Sequence, residues 1–244
     1  MTMAQPQMIG AIGHAVRAVC SALDDNVTPG SWERLGEPAL WRELVAGILG
    51  SRAPYEVALR AVEALEQDGL LDGKAWLSRL SCYQRRLEAT LSGDGDGAQT
   101  ERRALRYPYP RQRAARIRGS VAEIYGKRQS IRGLLRKADG PHAARRELAE
   151  RIPGIGPKQA SMFLRNVGYP GEFAVLDAHV LTYMQWNALL PEAEPRVQTI
   201  REYEHVESVF LDHVHGLGAC PGKFDVAVWV VMRVAKREQS ACRW

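Results

Sequence analysis

The stretch PGIGP at residues 153–157 constrains this chain more than any other, because glycine and proline fill four of its five positions. One helical apolar pattern, over 141–152, stops before it, and another, over 157–167, begins at its last proline. Glycine adopts a positive φ easily and lets another backbone approach closely, while proline fits the first turn of a helix. The stretch therefore predicts a tight hairpin between two helices, in which Gly154 and Gly156 can both take a positive φ.

This hairpin predicts contact with a nucleic-acid backbone. Unpaired N–H groups of the hairpin and of the next helical turn point outward together, where the helix dipole favours an anion. The arrangement is the helix-hairpin-helix pattern, which holds duplex phosphates without reading sequence, through Gly154 and Gly156. Carbonyl groups of such a hairpin can also hold a monovalent cation. The alternative is an ordinary turn between two helices.

The spacing of apolar residues predicts helices in the rest of the chain as well. Val57, Leu59, Val62 and Leu65 are predicted to face inward from one such helix. No segment alternates convincingly like a strand, so the predicted fold class is all-α. The further predicted helices are 37–50, 54–65, 75–91, 111–125, 129–137, 177–188, 198–215 and 222–237.

Positive charge is concentrated in one part of the chain. The net charge is +5, and between Arg102 and Lys137 twelve Lys or Arg residues stand against one acid, Glu123. A charge run is usually a solvated face. This one is interleaved with three tyrosines, which favours a surface that tracks phosphates.

Several other classes of protein are disfavoured. The four cysteines have no CxxC spacing and form no cluster for an iron–sulfur centre, so free thiols are expected. No signal-peptide pattern is present, and the longest apolar run, 226–232, is too short to cross a bilayer. A cytoplasmic, nucleoid-associated protein is expected. Neither GDGDG at 93–97 nor HVHG at 213–216 has complete metal-ligand spacing, so no metal site is predicted.

Lys158 and Asp177 carry a resemblance. Lys158 follows the hairpin, and Asp177 lies nineteen residues later in an apolar run. The segment GIGPKQASMFLRNVGY and the later AVLDAHVL resemble the helix-hairpin-helix DNA glycosylase superfamily, and most closely its archaeal-type 8-oxoguanine DNA glycosylase/AP lyases. The likeness covers most of 37–237, more loosely outside these segments. It implies a two-subdomain helical fold with the active site in the cleft between the subdomains.

The resemblance implies that Lys158 and Asp177 are catalytic. Breaking the C1′–N bond develops oxocarbenium character, which a carboxylate stabilises. A neutral lysine amine can attack C1′ and form a Schiff base that eliminates the 3′ phosphate. An unperturbed lysine, with a pKa of about 10.4, is neutral in roughly one molecule in 2500 at pH 7, so burial must lower its pKa. The alternatives are a helix N-cap for Asp177 and a phosphate-binding role for Lys158.

Flipping a base out of the duplex costs a few kcal/mol, which other side chains must offset. Ser51 and Arg52 occupy the place where relatives insert polar side chains into the gap. Arg111, Arg113 and Arg116 are predicted to hold flanking phosphates. His179 is expected to be structural or a partner of Asp177. Candidates for stacking on the base, each of which could instead be core, are Trp41, Phe163, Phe224 and Trp229.

The chain departs from the family pattern where base recognition is set. Ala178 stands where the family often has arginine, and the chain ends in SACRW where shorter members carry a lysine-containing tail. Catalytic identity therefore carries over better than base specificity. The expected segments are an N-terminal extension or helix over 1–36, a helical subdomain over 37–137 whose basic part, 102–137, faces DNA, the hairpin and catalytic segment over 138–188, and completing helices over 189–244.

The sequence therefore predicts a monomeric DNA glycosylase with AP lyase activity that acts on double-stranded DNA and needs no redox cofactor. By family the base is 8-oxoguanine. One alternative keeps the chemistry but excises a hypermodified phage base such as glucosylated hydroxymethylcytosine, in antiviral defence. Another is a helix-hairpin-helix module that binds DNA without catalysis, and a weaker one is an RNA-binding protein.

Overall fold

The computed structural model describes residues 4–23, 30–94, 107–127, 130–191, 197 and 199–241. These residues form α-helices and two short 3-10 helices, at Ser31–Glu33 and Leu77–Arg79, and they contain no β-strand. The all-α prediction is confirmed. The α-helices are α1 Ala4–Ala22, α2 Glu37–Gly50, α3 Tyr55–Gln67, α4 Leu80–Ser92, α5 Pro110–Ile124, α6 Ile131–Lys137, α7 Gly140–Arg151, α8 Pro157–Asn166, α9 Ala178–Trp186, α10 Ile200–Gly216 and α11 Pro221–Ala241.

Every predicted helix is present, with two local differences. α4 begins at Leu80 rather than at residue 75, because 77–79 form a 3-10 turn first. In α3, Leu59 is 42% exposed, so its predicted inward orientation is wrong. The buried stripe passes instead through Ala58, Ala61 and Leu65 at helical spacing, and Leu59 lies about 100° away from Ala58 around the helix.

The chain divides into two compact units. We call Pro29–Gly171 the hairpin unit, and the described residues of Met1–Thr28 and Glu172–Trp244 the aspartate unit. The units group the chain differently from the four predicted segments, which stay a prediction. No described helix is both long enough and apolar enough to cross a membrane.

The hairpin unit is built around α2. Its buried residues Leu40, Leu44, Val45 and Ile48 are all fully inaccessible to solvent. This helix packs against α3, α5, α6 and α8, and α7 packs along α8. The turn at Ser51 directly follows α2, and the hairpin is carried by α7 and α8, of which α8 packs on α2. The position of α2 therefore places both the turn and the hairpin.

The aspartate unit combines α1 with α9, α10 and α11. Helix α1 packs along α11, and α9 packs against the same helix. The core contains Val16 of α1, Tyr183 of α9, Phe210 of α10 and Phe224 of α11. Helices far apart in sequence therefore share one apolar core.

Candidate functional site

The predicted hairpin is present between α7 and α8. Gly154 has φ +90°, in the left-handed region that favours glycine. Gly156 has φ −105° and ψ −178°, an extended conformation, and caps the N-terminus of α8. The hairpin prediction is confirmed, but the positive φ predicted for Gly156 is wrong, because the chain has already straightened to enter the helix.

Gly154 is also needed for a close approach by α5. A Cβ atom at this position would lie 2.8 Å from Cδ of Arg116. The Ser120 hydroxyl, one turn further along α5, lies 3.3 Å from the Pro153 carbonyl oxygen, to which it donates. The aliphatic stem of Arg116 therefore packs directly on the hairpin backbone.

The hairpin forms one wall of a groove of about 380 Å³. Neither the Gly154 nor the Gly156 N–H donates a hydrogen bond within the described part of the chain. Three stretches singled out in the sequence meet here: the hairpin, the turn after α2 and the first turns of α5. The groove is lined by Ser51, Arg52, Tyr109, Gln112, Arg113, Arg116, Gly154, Ile155, Gly156 and Gln159.

The groove carries positive charge. Three arginines and no acid are among its lining residues. Burial, followed by repulsion from Arg113 and Arg52, lowers the pKa of Arg116 from its usual value. An arginine nevertheless stays charged at physiological pH, so an anion entering the groove would relieve this repulsion.

Arg113 contributes to this charge but is largely a structural bridge. The residue is 1% exposed. Its guanidinium donates to the carbonyl oxygen of Ser51 and, through Nε at 3.3 Å, to the Tyr107 hydroxyl, which itself donates to the Leu49 carbonyl oxygen at 2.6 Å. Nη1 is buried and has no partner among the described residues. Because Nε and Nη2 hold the end of α2 and Nη1 is buried, no nitrogen of Arg113 is exposed to a phosphate in this structure, and the predicted contact stays a prediction.

Arg52 and Arg111 differ in their relation to the groove. Arg52 is exposed, lines the groove and has φ +58°. For a residue with a Cβ this conformation costs on the order of 1 kcal/mol, and such strain clusters at functional sites. Arg111 is exposed on α5 but does not line the groove, so its predicted phosphate contact stays a prediction.

Lys158 is the second residue of α8 and is half-buried. It therefore lies in the first helical turn, directly beyond the hairpin. Ala160, Phe163 and Leu164 on the same helix are fully buried. These apolar residues fix the rotation of α8 and thus the origin of the Lys158 side chain.

Asp177 is in an extended conformation, with φ −91° and ψ 179°, and caps α9. Its Oδ1 accepts hydrogen bonds from the N–H groups of His179 and Val180, both at 2.8 Å. The helix predicted to begin at residue 177 starts directly after it, and the capping role named as the alternative is present too. Both capping bonds use the same oxygen, so they leave Oδ2 out of the cap.

His179 is the second residue of α9. Its Nδ1 is buried with no hydrogen-bond partner in the described part of the chain. Burial, with repulsion from Lys236 and Arg233, lowers the pKa of His179, although Asp177 opposes the shift. The folded environment therefore favours the neutral imidazole. Lys236 reaches the same turn, where its Nζ donates to the Ala178 carbonyl oxygen at 3.1 Å.

Three of the four aromatic candidates for the base pocket are core residues. Trp41, Phe163 and Phe224 are at most 1% exposed, so no ring face is open to a base in this structure. Trp41 packs edge-on against Tyr125, with ring centroids 5.6 Å apart. Trp229 is half-buried, and the Arg233 guanidinium lies 5.0 Å from the centre of its ring.

The weak metal patterns are occupied by other contacts. His213 lies 3.2 Å from the Tyr183 hydroxyl, and His215 pairs with Glu172 at 3.1 Å. Among the described residues no group of three metal-binding side chains forms. Residues 95–97 of the GDGDG stretch lie outside the described residues, as do 102–106 and 128–129 of the basic segment.

Sequence reasoning missed the side chains that hold the chain before Asp177. Glu207, Tyr203 and Asp225 are nearly inaccessible to solvent. Each accepts a hydrogen bond from a backbone N–H of residues 174–176. The available signal was an acid inside an apolar helical pattern, in HVESVF and KFDVAV.

Comparison with known proteins gives a consistent result. Residues 29–218 match the family described as 8-oxoguanine DNA glycosylase. An 8-oxoguanine DNA glycosylase/AP lyase of Thermotoga petrophila is 34% identical over 131 residues, which cover 54% of this chain and 59% of the relative. The chain thus spans about 59% of the length of this relative. The corresponding Metallosphaera sedula protein is 28% identical over 197 residues, covering 81% of this chain and 83% of that protein.

Solved structures share the fold. The Methanocaldococcus jannaschii 8-oxoguanine DNA glycosylase superimposes with a TM-score of 0.68 at 22% identity, over 93% of this chain and 94% of that one. The M. jannaschii enzyme in complex with a 15mer DNA containing 8-oxoguanine superimposes with a TM-score of 0.64 at 22% identity, covering 90% and 88%. The helix-hairpin-helix glycosylase fold predicted from the sequence is therefore confirmed.

Proposed function

The chain belongs to the 8-oxoguanine DNA glycosylase family, and from this premise we propose that it flips a damaged or modified base out of DNA and cleaves its N-glycosidic bond. In a second step it cuts the strand as an AP lyase. The observation that best supports this proposal is the position of Lys158, directly after a hairpin whose glycine N–H groups and arginine neighbours line one groove.

The groove would hold the DNA backbone. The N–H groups of Gly154 and Gly156, which have no partner among the described residues, and the N-terminus of α8 suit a phosphate. Arg116 and Arg52 add charge to the same groove, and the buried guanidinium of Arg113 adds a third positive charge. None of these groups reads base identity, so the groove would anchor any duplex and leave selection of the base to other residues.

Lys158 would act as the nucleophile. Its neutral amine attacks C1′ as the C1′–N bond breaks, and the base leaves with its bonding electron pair and takes up a proton. The Asp177 carboxylate stabilises the positive charge that develops on the sugar. The attached amine loses a proton, and the C1′–O4′ bond breaks with O4′ taking up a proton, which leaves a Schiff base at C1′. The Schiff base loses a 2′ proton and expels the 3′ phosphate, and water then releases Lys158. These substitution and elimination steps transfer no electrons between reactants, so the proposed reaction needs no redox cofactor, and it needs no metal.

The substrate is proposed to be 8-oxoguanine in double-stranded DNA. The relatives named above are 8-oxoguanine DNA glycosylase/AP lyases. The protein would act as a monomer on nucleoid DNA. A monovalent cation at the hairpin carbonyls is a further proposal, which replacing potassium with a bulky organic cation in a binding assay would test.

The deciding experiment is strand scission, with and without hot alkali, on end-labelled duplexes. The panel carries 8-oxoguanine, uracil, an alkylated purine or glucosylated hydroxymethylcytosine at one position. Wild type is expected to cut at 8-oxoguanine without alkali, and Lys158→Gln is expected to lose that cleavage. Borohydride should trap wild type, but not Lys158→Gln, on the DNA.

The other outcomes are equally informative. Cleavage only at another base would support the proposed chemistry but contradict 8-oxoguanine as the substrate. Removal of the glucosylated base would favour a role in antiviral defence. Duplex binding without an abasic product from any substrate would overturn the enzymatic proposal in favour of a DNA-binding module. Preference for structured RNA over duplex DNA would indicate an RNA-binding protein.

A further inference from the structure

The segment that precedes Asp177, residues 173–176, lies outside any helix or strand and is held mainly by side chains. Phe173, Ala174 and Leu176 are buried, so their polar backbone groups need partners within the protein. The segment belongs to no sheet in the described part of the chain. Helices α10 and α11 of the aspartate unit supply the partners instead.

Helix α10 supplies two of them from positions one turn apart. Glu207 Oε1 accepts from the Ala174 N–H at 3.0 Å. The Tyr203 hydroxyl accepts from the Leu176 N–H at 3.2 Å and donates to the Ala174 carbonyl oxygen at 2.6 Å. Tyr203 thus bridges Ala174 and Leu176 through a single hydroxyl.

Helix α11 supplies the third partner. Asp225 Oδ2 accepts from the Val175 N–H at 2.6 Å. The Asp177 N–H then donates to the Val175 carbonyl oxygen at 2.9 Å, and Asp177 caps α9. The N–H groups of residues 174, 175, 176 and 177 are therefore all engaged within the aspartate unit.

This arrangement goes beyond satisfying a buried loop. Tyr203, Glu207 and Asp225 are each at most 2% exposed, and burying two carboxylic acids is unfavourable unless their hydrogen bonds are made. The rigid segment ends at Asp177, the carboxylate assigned to chemistry. We infer that Tyr203, Glu207 and Asp225 are positioning residues that fix Asp177 for base excision, an inference that rests on the proposed function.

Positioning predicts an effect on rate rather than on DNA affinity. None of the three residues lines the groove at the hairpin. A displacement of a catalytic group by about 1 Å can lower a rate by on the order of 100-fold. Loosening the segment should therefore slow excision while the affinity for DNA stays the same.

Tyr203→Phe is the sharpest test, because it removes one hydroxyl and keeps the ring. Its matched control is Tyr183→Phe, which removes a hydroxyl equally buried in the same unit but bonded to His213. The assay is single-turnover excision of 8-oxoguanine, with the Kd for a duplex carrying a tetrahydrofuran abasic analogue and the Tm of each variant.

Tyr203→Phe should excise about 10-fold to 100-fold more slowly than wild type, with Kd within about twofold. Tyr183→Phe should excise at the wild-type rate with a similar fall in Tm. A wild-type rate for Tyr203→Phe would overturn the inference, as would equal slowing of both variants. If wild type itself excises nothing while Lys158→Gln binds DNA normally, the proposed function is wrong, and the inference falls with it.

A second pair of variants covers the case in which Tyr203→Phe does not fold. Glu207→Gln keeps an oxygen that can accept from the Ala174 N–H, whereas Glu207→Leu has none. Glu207→Gln should excise faster than Glu207→Leu. Equal rates in two folded variants would contradict positioning through this bond.

Discussion

The hairpin and the segment before Asp177 handle backbone N–H groups in opposite ways. At the hairpin, the N–H groups of Gly154 and Gly156 stay unpaired within the described chain and line a charged groove. At the segment, buried side chains engage every N–H from Ala174 to Leu176. The first arrangement suits a ligand that arrives from outside, and the second suits a side chain that must not move. The difference indicates that binding and chemistry can be altered separately.

The largest expected effect separates the charge of Asp177 from its capping role. Asparagine caps a helix as well as aspartate, so Asp177→Asn should leave the Tm nearly unchanged. Loss of the carboxylate should lower the single-turnover excision rate by roughly 100-fold to 10,000-fold. Asp177→Ala should be equally slow and also lose about 1 kcal/mol of the free energy of unfolding. A fast Asp177→Asn would reduce this residue to a cap.

Gly154→Ala should affect binding rather than chemistry. The substitution places a Cβ at φ +90° and 2.8 Å from Arg116, so hairpin and arginine must separate. Strain of about 1–2 kcal/mol would raise the Kd for duplex DNA about tenfold, with little change in excision at saturating enzyme.

Gly140→Ala is the matched control for that variant. Gly140 has φ +84°, but a Cβ there meets no atom within 4 Å. It should lose similar stability and keep wild-type affinity. Equal weakening of DNA binding in both variants would mean that backbone strain alone, and not the hairpin surface, lowers affinity.

Arg52→Gly should have a smaller effect with two opposite signs. Glycine accepts φ +58° without strain, so the free energy of unfolding should rise by roughly 0.5–1 kcal/mol. Affinity for DNA should fall several-fold, and the slope of log K against log salt should decrease by about one phosphate contact. Arg111 does not line the groove, so Arg111→Gly is the control. An equal decrease of the slope in this variant would mean that overall positive charge, and not the groove, determines the salt dependence.

The smallest expected effect is a pH dependence of stability in the aspartate unit. Burial lowers the pKa of His213, and burial with nearby cations lowers that of His179, so both favour the neutral form when folded. The unfolded chain then binds more protons, and stability present above about pH 6.5 is lost as pH falls through the lower folded values. Each group contributes at most about 1.4 kcal/mol per pH unit.

Urea unfolding between pH 5 and 8 measures this dependence. His213→Gln keeps a hydrogen-bonding partner for Tyr183 and removes one titrating group, so its stability should change less with pH. An unchanged slope in the variant would show that His213 contributes nothing to it.

The sequence predicted the hairpin well because its determinants are local. Gly154 and Pro157 act on their own backbone, and the apolar periodicity of α8 needs no distant partner. The role of Arg113 could not be predicted in the same way. Its burial depends on the end of α2, with Ser51 lying 62 positions away in the chain.

The residues that hold the segment before Asp177 could not be predicted either, because they are also distant from it in sequence. Tyr203, Glu207 and Asp225 act on residues 27, 33 and 50 positions away. An acid in an apolar helical pattern indicates that a buried hydrogen-bond donor lies nearby. The pattern does not identify which backbone N–H group is that donor. A periodic aromatic such as Trp41 or Phe224 fits a core and a pocket alike, so the sequence left both possibilities open where the structure shows burial.

The packing of α1 along α11 affects the order in which the molecule is made. Residues 29–171 form a continuous unit, which a ribosome can deliver whole before Asp177 has emerged. The aspartate unit must wait for α11, because its early and late helices share a core and its contacts span nearly the full chain. A nascent chain would therefore complete the hairpin groove before the helices that hold Asp177. Under the proposed function, an interrupted translation product would bind DNA without cutting it.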